Sequence, residues 1–178
     1  MGKSPEEIEY IFRNSNSPDE LFDAFRKAIT GKITDIELYK ILLANPVLSG
    51  EELKMYTEHL SKVFRENAFD FFMWTGGIFA NYTSEFERLE DSISYYVKAL
   101  YNNPSHYEPY CRLLQLYNHD LCLPTNRIII DIIEESLERI EKKSIVCLEL
   151  SKLYSKLGNK IKEAEYRKMA QHSARSGH

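Results

Sequence analysis

At four places a serine stands three residues ahead of a glutamate, at the head of a stretch whose apolar residues recur every three or four positions. These are Ser4-Pro5-Glu6-Glu7, Ser17-Pro18-Asp19-Glu20, Ser49-Gly50-Glu51-Glu52 and Ser84-Glu85-Phe86-Glu87. Each has the form of a capping box, in which hydroxyl and carboxylate satisfy each other's free backbone donors at a helix start. In the first two, proline takes the first helical position, where its missing N–H costs nothing. Helix starts marked this densely point to an all-α fold.

The segments between the caps agree. Ile8, Ile11 and Phe12 follow the first, and Leu21, Phe22, Phe25 and Ile29 follow the second, each set lying on one face of a helix. Ile36, Leu38, Tyr39, Leu42 and Leu43 make a further stripe that stops at Asn45-Pro46, because the residue before proline avoids helical dihedrals. Leu53, Tyr56, Leu60, Val63 and Phe64 form another. Ile128-Ile129-Ile130 is the one run with strand character, but its flanks continue a helical pattern as far as Lys143, so it reads as helix. Most of the 7 Gly and 6 Pro fall between such segments, as punctuation does in helical proteins.

With 178 residues and 43% hydrophobic content, the chain can bury a core and form one folding unit or one short repeat array. A formal net charge of -4 offers no general attraction to phosphate backbones or anionic lipid, so neither nucleic acid nor membrane is an expected partner. The start, Met1 to Phe12, is acidic where a secretory signal needs a basic end and an apolar run. Glu6 stands where a myristoylation motif needs Ser or Thr. The expected location is therefore cytoplasmic, with the Asn81-Tyr82-Thr83 sequon unglycosylated. Cys111, Cys122 and Cys147 are odd in number and widely spaced, which fits a reducing compartment and small core residues rather than a disulfide framework. His119 and Cys122 have half of a metal-ligand spacing with no second pair to complete it, so no metal and no cofactor is expected.

The run Asp91 to Pro104 carries Tyr96, Ala99 and Pro104 in aromatic, alanine and proline places. Tyr110, Leu113 and Tyr117 follow, and then Leu150, Leu153-Tyr154, Leu157-Gly158-Asn159, Glu163-Ala164 and Lys168-Met169-Ala170. In these features the chain from about Trp74 onward resembles the tetratricopeptide repeat (TPR), a helix-turn-helix unit of about 34 residues. Trp74 and Tyr82 fit the first helix of such a unit with about one extra residue before Ser92. Gly76-Gly77 then falls inside that helix, at about 1 kcal/mol per Gly relative to Ala, and reads as a close helix approach or a kink. Leu121-Cys122-Leu123-Pro124 replaces the usual turn of the second unit, and the helix that follows to Lys143 is longer than the family's.

The resemblance implies antiparallel helical hairpins stacked as a short right-handed α-solenoid of about ten helices. Residues 1–68 would hold hairpins without a repeat signature, and 69–104, 105–143 and 144–173 three TPR-like units of the segment 69–178, all in one continuous folding unit. Small residues such as Ala99 and Ala164 would let helices approach, and Tyr96, Tyr110, Tyr117 and Tyr154 would fill the space between hairpins. The resemblance also implies a concave groove lined by the first helix of each hairpin. On matching positions it would present Arg112, Gln115 and His119 from the second unit, with Glu149, Lys152 and Lys156 from the third. The chaperone-binding members of the family clamp a carboxylate with basic residues, and Ile145 and Glu149 stand here where those are needed.

No phosphate-binding loop, dinucleotide fingerprint, nucleophile elbow or His-Glu-x-x-His motif is present. Glu134-Glu135 and Glu51-Glu52 are neighbours on a helix, point apart and read as solvated. No catalytic residue and no enzymatic activity is expected. Two functions are consistent with this pattern. The first is a non-enzymatic protein-protein interaction module that holds a partner peptide or helix in the groove. The alternative is a structural or chaperone-like subunit, acting as a homodimer or in a fixed assembly through an aromatic surface, for which Phe69, Phe71, Phe72 and Trp74 supply the material. Phe71, Phe72 and Trp74 are its contact candidates.

Overall fold

The computed structural model describes residues 4–81, 86–118 and 123–176. Among them are ten α-helices and no strand: α1 Pro5–Asn14, α2 Pro18–Thr30, α3 Ile36–Leu43, α4 Gly50–Val63, α5 Ala68–Ala80, α6 Phe86–Asn102, α7 Tyr107–Leu116, α8 Pro124–Ser136, α9 Lys143–Lys156 and α10 Lys160–Ser176. Single 3-10 turns lie at Arg65–Asn67 and Leu137–Arg139. The Ile128–Ile130 run is helical, as its flanks predict. None of the described helices is long and apolar enough to cross a membrane. The chain forms two compact units, 1–78 and 79–178, divided within α5.

Two of the four expected capping boxes form in full. Ser4 with Glu7 and Ser49 with Glu52 form complete capping boxes. Ser17 caps α2 through the Glu20 N–H, but the Glu20 carboxylate turns away and accepts from the Ser15 hydroxyl at 2.7 Å. The fourth box, at Ser84, lies outside the described residues, as do Tyr82 and Thr83 of the sequon.

In the first unit α1 packs on α2 and on α3, and α3 packs on α4. The apolar stripes meet in a core that includes Ile8, Phe12, Leu21, Phe25, Tyr39, Leu42, Leu60 and Phe71. Phe25 meets Tyr56 edge to face at 4.8 Å, and Tyr39 lies 5.3 Å from Phe64, geometries that add to area burial. Asn45 does more than end α3. Its buried amide donates to the carbonyls of Phe12 at 2.9 Å and Ser15 at 3.1 Å, while its oxygen accepts from Val47 N–H at 2.9 Å. Carbonyls at a helix end lack intrahelical partners, so one side chain completes the end of α1 from the end of α3.

In the second unit α7 packs on α6, α8 and α9, and α9 with α10 is the most extensively packed pair. Of the aromatic, leucine and small residues that carry the repeat resemblance, Tyr96, Ala99, Tyr110, Leu113, Leu150, Leu153 and Tyr154 are buried, whereas Tyr117, expected with them, is only half-buried. Ala164 is exposed and has no part in the close approach expected of it. The α10 side of that hairpin buries Glu163, Tyr166 and Ala170, and the buried Ser151 hydroxyl reaches the Glu163 carbonyl at 3.0 Å. The helix expected to continue to Lys143 ends at Ser136, passes through the Leu137–Arg139 turn and is separated from α9 by Lys142 in a left-handed conformation, φ 51°. The buried side chains of Leu137 and Ile140 anchor this break in the core.

One device recurs in both units. Tyr39 of α3 donates to the carbonyl of Ile33, and Tyr110 of α7 donates to that of Pro104, each at 2.8 Å and each six residues back in the preceding loop. A buried phenol with a satisfied hydroxyl fixes how the chain enters the helix.

Candidate functional site

The groove positions implied by the repeat resemblance fall on α7 and α9, which pack together. Arg112, Gln115, Lys152 and Lys156 are exposed and Glu149 is half-buried; His119 lies outside the described residues, as does Cys122. The thiol of Cys111 shows how close three of these come. Burial pushes its pKa up to about 11, with Glu149 and Glu108 adding to the shift and Arg112 and Lys152 opposing it. Charges from two helices, Arg112 on α7 and Glu149 and Lys152 on α9, thus all act on this one thiol.

Their charges are spent within their own helices. Arg112 pairs with Glu108 at 3.3 Å and Lys152 with Glu149 at 2.7 Å. Solvent-exposed pairs of this kind contribute little to stability and leave little net field for a ligand. Ile145 and Leu148 of α9 are also exposed.

The aromatic surface resolves differently. Phe71 and Phe72 are buried, at 0% and 7% exposure, and only Trp74 reaches the surface, at 42%. α5 carries a single charged residue, Asp70, and is otherwise largely apolar, so most of its surface is covered; Phe71 faces the first unit's core and meets Phe64 at 6.3 Å. Trp74 instead stands in an open cleft of about 490 Å³ walled by α1 and α3, together with Phe12, Arg13, Lys40, Ile41 and Ala44. Its Nε1 donates to the Lys40 carbonyl at 3.1 Å, and the Lys40 ammonium lies 5.7 Å from the ring centroid. The indole nitrogen is thus satisfied and the ring is held in place, leaving an apolar face for a ligand. Lys40 is in turn paired with Glu37 at 2.7 Å, and Arg13 with Glu9 at 2.8 Å.

A third cluster was misread in the sequence. Glu135 is exposed, but Glu134 is half-buried and accepts from the phenols of Tyr166 at 2.7 Å and Tyr154 at 3.1 Å and from Lys162 Nζ at 2.9 Å. The two phenol rings stack, 5.5 Å apart and 6° from parallel, with the Lys162 ammonium 4.8 Å from the Tyr154 centroid. Burial works to raise the Glu134 pKa, but hydrogen bonds from Lys162, Tyr166 and Tyr154 outweigh it and hold the carboxyl below its usual range. Burial and the bond to Glu134 push the Tyr166 phenol far up. Neither group exchanges protons near neutrality, so the cluster fastens α8 to α9 and α10 and is no acid–base pair. A repeating tyrosine one turn apart from a lysine was the available signal; the acceptor, 20 residues before the first tyrosine, was not.

Among the described residues no three His, Cys, Asp or Glu side chains gather as metal ligands do. No protein-family model matches the chain, and comparison with curated proteins and with solved structures returns no match.

Proposed function

We propose that this chain is a non-enzymatic, TPR-like interaction module that holds an apolar segment of a partner protein against Trp74 in the cleft of the first unit. The observation that carries the reading is the cleft itself: about 490 Å³, open, with a fixed tryptophan in its wall. That volume lies in the range of small binding sites, and tryptophan is the residue most enriched among binding hot spots. The helix order supports the repeat reading. α1 packs on α3 and α7 on α9, so first helices neighbour first helices within each unit, and each is followed by its hairpin partner. The walls of the cleft belong to α1, α3 and α5, which are first helices in that scheme.

The test uses a photo-crosslinking amino acid at position 41, inside the cleft. Ala44→Arg adds bulk to the cleft from an exposed position without touching the core. A protein crosslinked from native lysate at position 41, and lost on both Ala44→Arg and Trp74→Ala, is the expected result. The same crosslinked set from the variants would remove the cleft from consideration.

A further inference from the structure

On the opposite members of the first two hairpins, α2 and α4, lies a second opening of different chemistry. It is an apolar slot of about 290 Å³, walled by Phe22, Phe25, Ile29 and Met55, with Arg26 and His59 at its sides. Phe22 and Met55 are 43% and 46% exposed, so two large apolar side chains frame the mouth. Phe25 beneath them is buried and packs edge to face on Tyr56 at 4.8 Å and on His59 at 5.4 Å, which fixes the floor.

The charge at this slot is unlike that of the Trp74 cleft. There, Arg13 and Lys40 each hold a glutamate. Here, Arg26 lies over the Phe22 ring, 5.9 Å from its centroid, and among the described residues it makes no ion pair. No carboxylate lines the slot. Arg26 and Thr30 also wall an adjoining cleft of about 620 Å³, where Lys27 adds a second cation and Asp23 is the one carboxylate. A guanidinium spread on a ring keeps its five donors available to a planar anion. In a chain of net charge -4, an apolar slot flanked by an uncommitted guanidinium selects by complementarity.

We propose that this slot is a second docking site, and that its occupant is an acidic, apolar protein segment that seats one large aliphatic or aromatic side chain between Phe22 and Met55 and brings a neighbouring carboxylate to Arg26. The slot holds one such side chain. The pairing with Arg26 sets the orientation of the segment, since no lysine and no second arginine joins it in the lining of the slot. This site is independent of the Trp74 cleft.

The experiment pans a displayed library of random dodecapeptides on the full chain and measures the enriched peptides against wild type, Arg26→Glu, Met55→Lys and Trp74→Ala. All three substituted residues are exposed, and circular dichroism melts confirm folding of each variant. The expected outcome is enrichment of Asp or Glu within one helical turn of Leu, Ile, Met or Phe. Affinity should fall on the order of tenfold for Arg26→Glu and for Met55→Lys and stay unchanged for Trp74→Ala. Exchanging the peptide's carboxylate for an ammonium should recover binding to Arg26→Glu. Absence of acidic-apolar peptides, indifference of those peptides to both slot substitutions, or their loss on Trp74→Ala alone would each overturn the proposal. Dodecanoate is titrated in parallel; saturable binding abolished by Met55→Lys, with no peptide enriched, would assign the slot to a fatty acid instead.

Discussion

Burial alone would drive the Glu134 carboxyl toward its neutral form, and three donors reverse that preference. Because its folded pKa lies below the ordinary value of about 4.3, the contribution is complete above that value and is lost as pH falls through the lowered one. Lys162 works in the other direction: hydrogen bonds to Glu134 and Tyr154 raise its pKa, so its share is complete below about pH 10.4 and is lost as pH rises through the raised value. The cluster is therefore whole from roughly pH 5 to pH 10. Glu134→Gln should cost about 1–2 kcal/mol, the lower part of the range for a disrupted hydrogen-bonded charge because the site is partly solvated. Thermal melts should show a fall of about 2–6 °C at pH 7 that shrinks below about pH 4 as the wild-type carboxylate protonates; an equal deficit at pH 3 and pH 7 would mean that charge is not the cause. The sequence could not show this cluster. The residues that complete Glu134 lie in α9 and α10, and only the packing of those helices on α8 brings them to it.

Helix ends are where sequence and structure agree best, because a cap is local chemistry. Gly158, at φ +72°, closes α9: its N–H reaches the Ser155 carbonyl at 3.1 Å and the Asn159 N–H reaches that of Tyr154 at 2.9 Å, the two bonds of a Schellman cap. A Cβ there would meet nothing within 4 Å, so Gly158→Ala should cost roughly 1–2 kcal/mol from backbone strain alone. The end of α2 makes the same cap with the glycine one place early. Lys32 takes the left-handed position at φ 55°, with bonds from Lys32 N–H to Ile29 and from Ile33 N–H to Ala28, while Gly31 stays at φ -73°. Lys32→Gly should therefore stabilise, by about 0.5 kcal/mol once glycine's greater unfolded-state freedom is subtracted. Chemical denaturation of the two variants checks both signs; a destabilised Lys32→Gly would contradict the assignment of strain. Within an element, composition was less informative. Three aromatics in four residues of α5 read as one surface, yet of these Trp74 alone is outward, and which face of a largely apolar helix is covered depends on its neighbours.

Among the described residues, several charges stand in short-range pairs along a helix. Glu37 with Lys40, Glu51 with Lys54, Glu108 with Arg112 and Glu149 with Lys152 all lie three or four residues apart on one helix, with at least one partner of each pair open to solvent. Such pairs are worth a few tenths of a kcal/mol each, and the Glu134 cluster is partly shielded from solvent, so raising sodium chloride from dilute buffer to half-molar should move the melting temperature by no more than about 2 °C. A larger shift would show that longer-range repulsion or attraction matters. The all-α architecture and the buried stripes of the helices were legible from spacing, since periodicity reports the covered face of each helix. The two openings of the first unit were not, because each is formed where residues far apart in the chain leave space between them. Asn45 carries this dependence on distant residues into how the chain assembles. The end of α1 lacks its hydrogen-bond donors until the end of α3 arrives from 30 residues or more away. Loop closure must come before that reward, so the first two hairpins gain their final stability in one concerted step, and α1 frays early in any state where α3 is undocked.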